Sequence, residues 1–136
     1  MPAKSKLALL IAKNEGFGKP GEVPTTHHNP GDLRHTPHSN HPGGPSHAND
    51  IGTIDTDEDG WEDLERQLGI FAQRKISTDP ATHLPCTPRL MTLHDLAYTY
   101  APPEDNNNTV AYLAALTQGL DLQADTLVSV ALRVPA

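Results

Sequence analysis

The chain is nearly devoid of cysteine, with Cys86 alone among 136 residues. An internal disulfide is therefore excluded, and folding does not depend on an oxidising compartment. Long apolar runs are also lacking: no stretch reaches the eighteen residues of a membrane span, and the run from Lys6 to Ala12 is far too short. Lys4 and Lys6 precede that run as in a signal peptide, yet no small-residue cleavage site follows before Asn14 and Glu15. The expectation is synthesis in the cytoplasm with no signal peptide and no membrane insertion. Basic residues are scarce as well, ten against seventeen acidic for a net charge of −7, which opposes binding to a phosphate backbone. Nucleic acid is not an expected partner.

What the chain has in quantity is proline and glycine, thirteen and ten, gathered between Gly16 and Gly60 and between Pro80 and Pro103. The remaining segments are free to be helical. A length of 136 residues suits one domain, 1–136, that buries roughly two-thirds of its unfolded surface and folds as a monomer. Ser5 ahead of Leu7, Leu10 and Ile11 predicts a capped helix that Gly16 stops. Residues 17 to 50 carry no period and read as a long ordered loop or small hairpin, with Asp50–Asp55 as a short strand paired near Leu33. Trp61, Leu64, Leu68 and Phe71 recur at helical spacing, with acids in the first turn and Arg74 and Lys75 at the end. Thr92 caps a helix through Leu93, Leu96 and Tyr100 that must end before Pro102. Asn106 to Asn108 cap another, with Val110, Leu113 and Leu116 inward and Gly119 as its stop, and a last amphipathic turn or two spans about Ala124 to Leu132. The fold class expected is mainly α, an α+β arrangement of about five helices with a two- or three-stranded element between the first and second.

Glu15 stands where an apolar helix meets a glycine-rich loop. An acid at a helix C-terminus, walled by apolar side chains, favours its protonated form, as a general acid for a glycosidic oxygen requires. The ordinary alternative is a solvated last-turn acid. Paired glycosidases add a second carboxylate, for which Asp32, Asp50 and Asp55 are the sequence candidates. Each also suits a structural task, a turn, a strand entry and the approach to a helix cap respectively. Among aromatics able to stack on sugar rings, Trp61 and Tyr100 fall on apolar helix faces, which leaves Tyr98 as the cleft candidate.

The order NEGFGKPG, HHNPGDLR, IGTIDTDEDGWEDLERQL and YTYAPPEDNNNTVAYL, from about Ile11 to Leu120, resembles small phage-type peptidoglycan-cleaving proteins of the lysozyme-like superfamily, related to lytic transglycosylases and goose-type lysozymes. The resemblance implies a lysozyme-like fold and muramidase or endolysin activity, cleaving the β-1,4 bond between N-acetylmuramic acid and N-acetylglucosamine in the glycan strands of bacterial peptidoglycan. It implies Glu15 as the catalytic acid and no cofactor. Substrate contacts fall to His28, Asn29 and Arg34 of the turn and to Asn107 of the late motif, where Pro102, Pro103, Asn106 and Tyr112 also match. Two departures bear on those contacts: His27-His28 stands where asparagines are usual, and Asp32 replaces the common second asparagine of the turn. Lytic transglycosylases need no second carboxylate, because the muramic acid's own C6 hydroxyl displaces the leaving sugar while one residue serves as acid and then base. That chemistry is favoured here over hydrolysis. Reaching the wall would then require cell lysis, a holin, injection or incorporation in a virion.

Six of the eight histidines, His27, His28, His35, His38, His41 and His47, lie within one proline- and glycine-threaded segment. Imidazole is the commonest zinc ligand, but such sites usually come from regular elements, so a solvated, pH-sensitive rim is the expected reading and no metal ligand is assigned. Two alternatives to the glycosidase stand: an inactive relative that binds glycan or forms part of a virion or tail, and a metal-dependent hydrolase using the His27–His47 loop.

Overall fold

Leu7, Ala8, Ile11 and Ala12 form the buried stripe of the first helix, α1 (Lys6–Glu15), while Leu10, expected in that stripe, is only half-buried. The computed structural model describes residues 4–34, 36–38 and 51–136. A four-residue helix, α2 (Val23–Thr26), follows within the segment expected as irregular loop. It starts with Pro24 in its first turn, where a missing N–H costs nothing, and it is too short for any period to show. Next is α3 (Asp57–Gln73), capped by the Thr56 hydroxyl, which accepts from Asp59 N–H at 3.2 Å. Its Trp61, Leu64, Leu68 and Phe71 are all buried, as their spacing predicts.

The β element lies elsewhere than expected. Among the described residues the strands are β1 (Lys75–Thr78) and β2 (Pro85–Leu90), an antiparallel pair after α3 rather than between the first and second helices. The register pairs Lys75 with Leu90, Ile76 with Arg89 and Thr78 with Pro85, and its irregularity between Ile76 and Thr78 absorbs Pro88, which cannot donate to a ladder. Asp79 makes the turn, its Oδ1 accepting from the N–H of Ala81 at 2.8 Å and of Thr82 at 3.1 Å. Where a strand from Asp50 to Asp55 was expected beside Leu33, Asp50 lies outside the described residues. The pairing survives as one backbone bond, Gly52 N–H to Leu33 O at 3.0 Å.

Helix α4 (Leu93–Tyr100) carries a full capping box: Thr92 and Asp95 each accept from the other's backbone N–H. Burial works against the Asp95 anion, but Arg89, held bidentate, and Thr92 keep its carboxyl below the usual carboxylate range. After a 3-10 turn (Pro103–Asp105), Asn108 caps α5 (Thr109–Leu120). Val110 is 72% exposed, not inward, and Gly119 lies inside α5, which ends on Asp121 at φ +56°. The last helix, α6 (Val128–Ala131), is shorter than expected.

The result is a mixed α+β chain with six α-helices and a two-stranded antiparallel sheet among the described residues. No helix there is long and apolar enough to cross a membrane. Two compact units emerge, one of residues 1–4 and 8–67, the other of 5–7 and 68–136. The first buries Ile11, Ile54, Trp61 and Leu64, and edge-to-face packing of Phe17 on Trp61 (5.3 Å, 77°) extends its core. The second centres on Leu68, Leu93, Leu96, Leu116 and Val128, with Phe71 set edge-on to Tyr100.

Gly60 explains why the first unit's turn can lie against α3. A β-carbon there would collide with the His28 carbonyl oxygen and stand 2.7 Å from Pro30 Cδ. Alanine normally gains about 1 kcal/mol over glycine inside a helix, but overpacking costs about 1–3 kcal/mol, and a rigid backbone carbonyl puts this case at the upper end. Gly69, on the same helix, has nothing among the described residues within 4 Å of such a carbon. The urea midpoint is therefore expected to fall for Gly60→Ala and rise for Gly69→Ala; a stabilised Gly60→Ala protein would refute the close approach.

Candidate functional site

Glu15 is the last residue of α1, and the backbone beyond it is locked. Gly16 N–H reaches Lys13 O at 3.1 Å and Phe17 N–H reaches Ala12 O at 2.9 Å, with Gly16 at φ +93°. These two bonds and that left-handed glycine form a Schellman cap, so the carboxyl-bearing residue is fixed in direction and not on a fraying end. The loop that leaves is tied back by one side chain. Thr25 of α2 accepts from Gly18 N–H at 2.8 Å and donates to Gly16 O at 3.4 Å.

This folding-back brings in an acid that sequence spacing did not single out. The Glu22 side chain lies over Gly16, its Oε2 3.8 Å from where a β-carbon on that glycine would stand. Glu22 is exposed and precedes α2. The available signal was its position seven residues after Glu15, across a turn with three glycines, Gly16, Gly18 and Gly21.

The histidine-asparagine turn follows α2 directly. Asn29 is fully buried, and its amide donates to Leu33 O at 2.7 Å and Gly52 O at 2.9 Å while its Oδ1 accepts from Leu33 N–H at 3.0 Å. Expected to contact substrate, Asn29 instead clamps the backbone, with both amide hydrogens engaged. His28 at φ +52° pairs with Asp57 of α3 at 2.8 Å, and the His27 ring meets Ile51 O at 3.3 Å. Arg34 is exposed beside Asp32, and Asp55 sits on an exposed bend before α3. Asp50, His35, His41 and His47 lie outside the described residues. Tyr98, tilted on His94 at 4.7 Å, and Asn107, which donates to Pro102 O at 3.1 Å, both belong to the second unit.

Among the described histidines, His38 has the most hydrogen-bonded surroundings. His38 faces α3, where Asp63, 2% exposed, receives its Nδ1–H at 2.6 Å, its backbone N–H at 3.1 Å and the Thr36 hydroxyl. The bond to Asp63 is the main reason the His38 pKa is raised above its ordinary value. In the second unit a groove of about 360 Å³ runs along Val110, Leu113, Ala114 and Thr117 to Leu122, and no expected site residue lines it.

Among family models, curated proteins and solved structures, none matches this chain. The first unit holds an acid on a capped backbone, Glu15, a second carboxyl on the returning loop, Glu22, and a half-buried third, Asp32.

Asp32 is the strained one. It adopts φ +52°, and its Oδ1 is buried with no hydrogen-bond partner among the described residues. Burial raises its pKa, against the smaller opposing pull of His27 and Arg34. A raised folded-state pKa means the fold holds that proton more tightly than the unfolded chain does, so its contribution to stability is present in acid and lost as pH rises through the folded value. Asp32→Asn, which tolerates positive φ, should raise the melting temperature at about pH 7 and lose that advantage at about pH 4. An equal shift at both pH values would show that the charge of Asp32 carries no penalty.

Proposed function

We propose that this protein cleaves the β-1,4 bond between N-acetylmuramic acid and N-acetylglucosamine in peptidoglycan, with Glu15 as the general acid on a lysozyme-like frame. The observation that carries this reading is the Schellman cap, which fixes the Glu15 backbone at the mouth of a glycine-rich loop. General acid catalysis demands a positioned proton donor, and the two cap bonds fix the backbone from which the Glu15 side chain projects.

In the favoured transglycosylase route, Glu15 donates its proton to the glycosidic oxygen as the C1–O bond of muramic acid breaks. The C6 hydroxyl of the same sugar then forms the new bond to C1 and returns its proton to the Glu15 carboxylate. No water is consumed, and a 1,6-anhydro end results. Hydrolysis needs a base for water or a close nucleophile. Glu22, folded over Gly16, is the specific observation in favour of that second route.

Glu15→Gln keeps shape but removes the donated proton, so turbidity clearance of cell walls should fall by several orders of magnitude with the fold intact. Near-normal clearance would sink the assignment. Glu22→Gln and Asp32→Asn should retain substantial turnover, with mass spectra of the muropeptides showing ends lighter by one water than hydrolytic products. Reducing ends, together with a Glu22→Gln protein as dead as Glu15→Gln, would make the enzyme a hydrolytic lysozyme.

A further inference from the structure

Helical geometry sets Asp59, Glu62 and Asp63 on one face of α3, since residues three and four apart are neighbours. Asp63 is buried and behind; Asp59 and Glu62 are in front, half-buried and exposed. His38 is inserted between them. A carboxylate can only accept, so the 2.6 Å bond to Asp63 puts the imidazole hydrogen on Nδ1. In the neutral ring Nε2 then carries the lone pair, and it faces Asp59 Oδ1 at 3.9 Å. One donor atom each from His38, Asp59 and Glu62 lie within 4.8 Å of one another. The acids around the ring favour positive charge at Nε2, which a second proton supplies in the free protein and a divalent cation supplies by replacing that proton.

We infer that His38, Asp59 and Glu62 form a binding site for a divalent transition-metal cation of the zinc type, with Asp63 as the buried carboxylate that orients the histidine. The carboxylate–histidine–metal arrangement fixes both ring direction and tautomer. Zinc bonds of about 2.0–2.2 Å to nitrogen and oxygen need donors about 3.3–3.5 Å apart, a closing movement that the exposed Glu62 and half-buried Asp59 side chains can make. One imidazole and two carboxylates leave a fourth position for water. The donor set suits zinc better than magnesium, which prefers all-oxygen octahedra and holds its own water. The ion would fasten the segment at residues 36–38 to α3, and the proposal stands independently of the glycosidase reading.

The test uses the full chain, stripped with EDTA and exchanged into chelator-free buffer. Zinc chloride titrated calorimetrically should bind at this site and raise the melting temperature, and cobalt(II) should give the intense visible bands of a four- or five-coordinate ion. Asp59→Asn/Glu62→Gln should weaken zinc binding by at least about tenfold and abolish the zinc-induced rise in melting temperature. His38→Gln should do the same, which keeps the test decisive if the double variant misfolds. Unchanged zinc affinity in either folded variant would assign the metal to other histidines and overturn the proposal, as would failure of the unaltered protein to bind zinc or cobalt.

Discussion

The close approach of the His28–Pro30 backbone to Gly60 is the constraint on which the first unit rests. With no side chain at residue 60, the turn lies flat on α3, and His28 meets Asp57. The same placement buries the Asn29 amide, whose bonds to Leu33 and Gly52 join two loop segments that share no strand among the described residues. An amide so placed replaces a missing ladder, because buried backbone groups must find partners somewhere. Burial of Asp32, with no partner for Oδ1 among the described residues, accompanies that tight turn.

Elements with strong local signals were legible in the sequence. In α3, period and acidic first turn agree, and α4 adds a threonine cap with a following proline pair. The hairpin was hidden because Pro85 and Pro88 argue against a strand, whereas an irregular two-stranded ladder tolerates both. Its positive signals, β-branched Ile76, Thr78 and Thr87 around an Asp-Pro turn, are few and scattered among those prolines. Val110 followed the helical period yet faces solvent, since a short apolar helix does not reveal which arc its neighbours cover.

At the candidate site, the helix end at Glu15 was legible because an acid followed by glycines is a local pattern. Glu22 and Asp63 were not, for opposite reasons. Glu22 acquires its place from a loop that folds back, a tertiary event with no period. Asp63 looks like one more acid of a charged helix, and only the arrival of Thr36 and His38 distinguishes it. Asn29 shows the converse error: a polar residue in a presumed cleft was assigned to ligand when the chain itself needed its amide. Composition treats the histidine-rich stretch as a unit, whereas among its described members His38 alone bonds a buried carboxylate.

Thr25 carries a consequence for how this chain can vary. Its hydroxyl accepts from Gly18 and donates to Gly16, so one oxygen sets the path of the loop that leaves Glu15 and returns with Glu22. Serine supplies the same oxygen, while valine matches the shape and supplies none. Substitution tolerance at residue 25 is thus governed by hydrogen-bonding capacity and not by volume.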